Sequence, residues 1–286
     1  FACAGTGAGA GSPGAKGFSI SVTQKPFPAI VLSGEMDVDV LYATFRFIRF
    51  LQTGTPLSSI ATVDAPKYAW RMLDHWDNPD GSIERGYAGK SLWKWDDLPA
   101  KVDPRYTDYA RACASVGLNG AALNNVNASA TILETANLRK VAAIADVLRP
   151  YGITTFLCAN FAAPMKIGGL ATSDPCHPEV AAWWRAKADE IYSMIPDFGG
   201  FVVKADSEGQ PGPFAYGRTH ADGANMLADA LAPHGGEVIW RAFVYGHGET
   251  DRAKKAYAQF KPLDGEFRAN AALQVKNGPI DFQLRE

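Results

Sequence analysis

Cysteine is scarce and irregularly spaced. Cys3, Cys113, Cys158 and Cys176 are the four in 286 residues, and no two form a C-x-x-C pair. A structural zinc site is therefore not expected, and Cys158 in an apolar strand pattern and Cys113 in a helix pattern read as buried, reduced thiols. Surplus charge of either sign is also missing: 28 Lys and Arg stand against 30 Asp and Glu, for a net charge of −2. Such a chain carries no electrostatic footprint for nucleic acid or an anionic membrane. Apolar runs are short, GFVV and AIVL among the longest, whereas a bilayer helix needs about 20 residues. The histidines lack metal-ligand spacing such as H-E-x-x-H, and no G-x-S-x-G or Cys–His signature supports acyl chemistry. The chain starts at Phe1, and residues 1–17 form a Gly/Ala-rich irregular stretch without a charged n-region or apolar core. No signal peptide is legible. The chain is expected to begin inside a longer protein, so no compartment is assigned.

What remains is an ordinary globular composition, 47% apolar and 20% charged. Residues 18–66 read as a β-β-α piece followed by a linker. FSISV and AIVLS are strand candidates. Asp37 is placed to cap a helix through VDVLYATFRFIRFLQ, with Val40, Leu41, Phe45, Ile48 and Leu51 on one face and Gly54 past the end. Thr53 to Lys67, with Pro56 and Pro66, reads as the connection. From residue 67 to 286 six apolar runs alternate with helical segments: RMLDHWD, GLNGAALNNV, GITTFLCANF, FGGFVVKAD, GEVIWRAFVY and NAALQVKNG. Alternation of this kind implies βαβ units and a parallel sheet.

Two parallel architectures compete. A doubly wound sheet would place a Gly-rich phosphate turn after its first strand, but HWDNPDGSIERGYAG has no G-x-G-x-x-G. A TIM-type (β/α)8 barrel places polar groups at the C-terminal ends of its strands. The sequence has them: Asp74 to Asp77, Asn124, Asn125 and Asn127, Asn160, Lys204, Asp206 and Glu208, Arg241 and Tyr245, Lys276 and Asn277. The expected fold is α/β: a (β/α)8 barrel, incomplete with about six βα units, preceded by a small α+β piece.

Chemistry concentrates in VVKADSEGQPGPFAYGRTHADGAN. Acidic side chains at a barrel mouth suit proton transfer to a leaving oxygen, and a glycosidase needs two such carboxyls flanking the scissile bond. Glu208 offers one. Asp281 is a candidate for the second, with Asp77 and Glu286 as rivals. Lys204, Arg241 and Lys276 follow three successive strands, which implies an anionic substrate group, or pairing with the neighbouring carboxylates. Trp76, Trp93, Trp95, Trp183, Trp184 and Trp240 are candidate sugar platforms. Trp183 and Trp184 lie in a helix and read as packing, and Trp76 is favoured for its place at a strand end. His220 reads as a loop residue that bonds locally.

RMLDHWDNPDGSIERGYAG, GLNGAALNNVNA, ANFAAPMKIGGLATSDP, PDFGGFVVKADSEGQPGPFAYGRTHADGANMLA, VIWRAFVY and KPLDGEF…LQVKNGPIDFQLRE closely resemble α-glucuronidases of glycoside hydrolase family 67. YATFRFIRFLQTGTPL resembles the end of that family's N-terminal domain. The resemblance implies a hydrolase that releases 4-O-methyl-glucuronic acid, α-1,2-linked to xylo-oligosaccharides, in xylan degradation. It implies inversion and no metal or cofactor. It assigns the general acid to Glu208 and the base to Asp281 acting with a further Glu, and it maps substrate contacts onto Trp76, Val126, Lys204, Arg241 and Lys276, with Val126 near the 4-O-methyl group. Whole members continue into the last barrel strands and a helical domain used in homodimerisation. An inactive or merely sugar-binding barrel fragment, and a hexosaminidase-like barrel, are the alternatives.

Overall fold

The computed structural model describes residues 17–24, 26–127, 129–242 and 252–275. They divide into two compact units. One comprises Phe1–Leu73, Val102–Ala121 and Ile144–Thr154; the other comprises Asp74–Lys101, Ala122–Ala143 and Thr155–Glu286.

The first unit opens with an antiparallel hairpin of β1 (Phe18–Thr23) and β2 (Ala29–Gly34), paired from Phe18↔Gly34 to Thr23↔Ala29. Helix α1 (Asp37–Gln52) packs on it through Ala43 and Phe47 against Ile20, Leu32 and Ile60. The buried stripe of α1 is thus Val40, Ala43 and Phe47, rotated from the expected one; Ile48 and Leu51 are 40% and 53% exposed. Two apolar stripes lie side by side on this helix, and the one holding the small Ala43 lets the backbone approach the sheet. The cap also differs from expectation. Asp37 is the first helical residue, and Asp39 makes the bonds, its carboxylate accepting the Met36 N–H at 3.1 Å and the Gly17 N–H at 3.3 Å. Gly54 follows the helix with φ +68°, as a helix C-terminus favours. The stretch read as a linker contributes β3 (Thr62–Asp64), antiparallel to β1.

The six expected strands are all present: β4 (Met72–Asp74), β5 (Gly120–Ala122), β6 (Thr154–Cys158), β7 (Gly200–Val203), β8 (Glu237–Arg241) and β9 (Ala271–Gln274). They form one curled parallel sheet in sequential order, β4-β5-β6-β7-β8-β9, as an incomplete TIM-type barrel requires. Five helices alternate with them: α2 (Arg105–Ser115), α3 (Thr135–Leu148), α5 (Pro178–Met194), α6 (His220–Leu231) and α7 (Arg252–Phe260), besides the short α4 (Ala163–Lys166) after β6. Every residue of β5 and β7 is buried, which explains why these strands read as unbroken apolar or small runs. Gly200 is obligatory at the start of β7: its φ is +135°, and a Cβ would lie 1.8 Å from the Glu237 carbonyl oxygen. At the sheet's two ends Leu73 and Leu273 are 39% and 38% exposed. The curl nonetheless brings these ends into contact through side chains: Gln274 Nε2 donates to Asp74 Oδ2 at 2.8 Å. Helix α6 starts in a capping box, where Thr219 Oγ1 accepts the Asp222 N–H and Asp222 Oδ2 accepts the Thr219 N–H at 2.8 Å. Among the described residues no helix is long and apolar enough to cross a membrane.

Candidate active site

Because the strands are parallel, the segments that follow them share one rim. The loop after β4 folds on itself. Asp77 bridges to Ile83, and Asp80 Oδ1 accepts the Ser82 N–H at 2.9 Å around Gly81. The Asn125 N–H donates to the Asp77 carbonyl at 2.8 Å, tying this loop to the segment after β5. The side chain of Asn124 both donates to the Cys158 carbonyl at 3.0 Å and accepts from its N–H at 2.8 Å, fixing the ends of β5 and β6 together.

Lys204 directly follows β7. Val203 is in register with Trp240, so Lys204 and Arg241 are register neighbours on one face of the sheet. Arg241 in turn pairs with Gln274. Arg241 Nη1 donates to Gln274 Oε1 at 2.7 Å and lies 3.5 Å from Asp74 Oδ2. The Lys204 side chain is only 2% exposed. Its Nζ donates to Asn127 Oδ1 at 2.9 Å and pairs with Glu208 Oε2. Glu208 is 35% exposed at its side chain and also faces Arg85 Nη2 at 3.8 Å. The expected pairing of a strand-end cation with a neighbouring carboxylate is therefore real for Lys204 and Glu208, and for Arg241 the acidic neighbour is Asp74.

Three non-glycine residues among the described ones have positive φ: Glu84 at +54°, Asp206 at +52° and Glu208 at +49°. All three are acidic and all lie in these two loops. Left-handed backbone at such residues is strained and concentrates where side chains must be aimed. Asp206 turns away from Lys204. Its Oδ2 accepts the Phe214 N–H at 3.2 Å, and its carboxyl lies where a Cβ on Gly212 would fall, 2.3 Å away. Burial pushes the Asp206 carboxyl up to about 6, only partly offset by the Phe214 N–H.

Asp77 is removed from the candidate bases. It is 4% exposed and accepts from Ser91 Oγ and from the Leu92 N–H at 2.8 Å, with His75 Nδ1 at 3.4 Å. Burial raises its pKa, but the bonds from His75 and Ser91 outweigh it, so Asp77 sits below its usual value and is fully engaged in holding the loop. The tryptophans separate as clearly. Of the six candidate platforms, Trp93, Trp95, Trp184 and Trp240 are core residues at 1% exposure or less, and Trp76 and Trp183 are half-buried. Trp93 Nε1 donates to the Leu123 carbonyl at 3.1 Å. His220 is not in a loop: it opens α6, fully buried, and accepts from Trp240 Nε1 on Nδ1 at 3.3 Å. Val126 is 2% exposed between Asn125 and Asn127. Lys276, Asp281, Tyr245 and Glu286 lie outside the described residues. Sequence reasoning passed over Glu84, Arg85 and Gln274. The adjacent charges of SIER, inside a Gly-rich loop after the first barrel strand, were the available signal for the first two. Among the described residues no three His, Cys, Asp or Glu side chains are grouped to hold a metal ion.

A curled parallel sheet with a buried lysine, an arginine and a glutamate of left-handed backbone on its C-terminal rim is the arrangement of an incomplete TIM-type barrel. The sequence model of the glycosyl hydrolase family 67 middle domain matches residues 50–286, and the chain belongs to that family. A probable alpha-glucuronidase A from Neosartorya fischeri is 46% identical over 276 residues, covering 94% of this chain and 32% of its own length. Alpha-glucuronidase A from Emericella nidulans is 47% identical over 272 residues, covering 91% and 32%. The chain thus spans about a third of the length of the curated relatives it matches. Among solved structures, a GH138 enzyme targeting pectin rhamnogalacturonan II aligns over 91% of this chain and 32% of its own with a TM-score of 0.53 at 16% identity, a likeness of fold.

Proposed function

We propose that this chain carries part of the active site of an inverting α-glucuronidase that releases α-1,2-linked (4-O-methyl)glucuronic acid from xylo-oligosaccharides. The observation that carries the reading is the buried Lys204, register neighbour of Arg241 and ion-paired to Glu208 on one rim. A hidden cation beside an arginine fork suits a uronate carboxylate. Glu208 is the proton donor to the leaving oxygen. A uronate bound at Lys204 shares that cation with Glu208, whose carboxyl faces the glycosidic oxygen. Asp281 is the base that activates water on the opposite face, and Lys276 is a further carboxylate contact. Trp76, half-buried at the rim, supplies an apolar face for the sugar ring. Val126 lines the place of the 4-O-methyl group. Residues 67–286 are the catalytic barrel segment and 18–66 the end of an N-terminal domain, and the whole protein is a homodimer. The neighbouring cations favour a uronic acid over the amino sugar of a hexosaminidase-like barrel.

The test uses a chain extended to the length of its relatives. Arg241→Ala should lower kcat/KM on aldouronic oligosaccharides by at least tenfold more than on the corresponding neutral glucoside-substituted ones. Equal losses on both would show that Arg241 serves only to hold Gln274 and Asp74.

A further inference from the structure

Glu84 is a buried carboxylate of this rim that neither donates the proton nor binds the sugar in the proposed reaction. Its side chain is 5% exposed. The backbone is pinned in its left-handed conformation by three bonds. Its N–H donates to the Trp76 carbonyl at 2.7 Å, and its own carbonyl accepts from Asn78 Nδ2 at 2.7 Å and Asn125 Nδ2 at 3.3 Å. Its Oε1 accepts from Asn127 Nδ2 at 3.4 Å and lies 3.4 Å from Arg85 Nε. Oε2 is buried without a hydrogen-bond partner among the described residues. Hiding a carboxylate on such long contacts is costly, and three main-chain bonds spent on a strained residue fix where that carboxylate points.

Two short paths lead from it to Glu208. One runs through Asn127, whose Oδ1 accepts from Lys204 Nζ, the partner of Glu208. An amide presents its oxygen on one side and its NH2 on the other. A carboxylate on the NH2 side of Asn127 therefore obliges the oxygen to face Lys204. The other path runs through Arg85, which meets Glu84 at Nε and Glu208 at Nη2.

We propose that Glu84 is a positioning residue for the acid: through Asn127–Lys204 and through Arg85 it holds the Glu208 carboxyl where it meets the leaving oxygen. The inference rests on the assignment of Glu208 as proton donor. Glu84→Gln keeps the shape and removes the charge that orients Asn127 and Arg85. In the extended chain, kcat on an aldouronic oligosaccharide should fall tenfold or more with KM within threefold. On an aryl glucuronide, whose leaving group needs little protonation, kcat should fall less than threefold. A merely structural role would depress both substrates alike. Asn127→Ala added to Glu84→Gln should cost less than Asn127→Ala alone, because the two act along one path.

Equal losses on the two substrates, unchanged kinetics in Glu84→Gln, or strictly additive losses with Asn127→Ala would each overturn the inference while leaving the function intact. Failure of the unmutated extended chain to release glucuronic acid would instead overturn the reading of the site, and this inference with it.

Discussion

At the scale of the residue, Asp206 and Glu208 stand two positions apart in one strained loop and face different surroundings. Glu208 reaches the Lys204 ammonium. Asp206 turns back onto Gly212 and Phe214, and burial pushes its carboxyl from the ordinary 3.8 up to about 6. An acid that binds its proton more tightly when folded stabilises the fold fully below its unfolded pKa, and that contribution is lost as pH rises through the folded value. Asp206→Asn cannot ionise and still offers an oxygen to the Phe214 N–H. Its Tm should therefore exceed the parent's at pH 7, and the two Tm curves should converge between about pH 6 and 4. Parallel curves over that range would show that the Asp206 environment is not as described. The KADSE segment was legible as a site because carboxylates and a lysine cluster after an apolar strand. Its division of labour was not, because which carboxylate meets the lysine depends on two left-handed φ angles that the sequence leaves open. Glu84 escaped for a similar reason: its partners Asn127 and Asn125 lie more than forty positions away.

At the scale of the element, His220 couples α6 to β8. Burial holds its imidazole down at about 4. Nδ1 accepts from Trp240, which leaves the ring proton on Nε2 facing Gln259 Oε1 at 3.4 Å. The ring also stacks on Phe260 with centroids 4.4 Å apart. A base whose folded pKa is depressed contributes stability above its unfolded value, near 6.5, and that contribution is lost as pH falls towards about 4. His220→Gln keeps an acceptor for Trp240 and does not titrate, so its Tm should fall less steeply than the parent's between about pH 6.5 and 4. An unchanged slope would place the acid sensitivity elsewhere. The six barrel strands and their helices were legible because short apolar runs alternate with amphipathic ones between Gly and Pro. The face of α1 was not. Period is written in the spacing, but which of two adjacent stripes is buried depends on the close approach at Ala43 and on the pinning of Asp39. His220, flanked by polar letters, reads as loop until Thr219 and Asp222 are seen to open a helix beneath it.

At the scale of the whole molecule, the curl of the sheet gathers side chains of its first and last strands on one rim. Only because β4 and β9 meet through Asp74 and Gln274 can Arg241 touch residues of both. The family 67 match covers residues 50–286, and within that family assignment we propose Glu208 as the proton donor. The most direct measurement compares Glu208→Ala with the parent, in a chain as long as its relatives, on two substrates. On an aldouronic oligosaccharide the rate should drop by about 10²–10⁴, the usual contribution of a general acid. On an aryl glucuronide with a good leaving group the loss should be much smaller. Equal losses on both would contradict the assignment and pass the role of acid to Asp206.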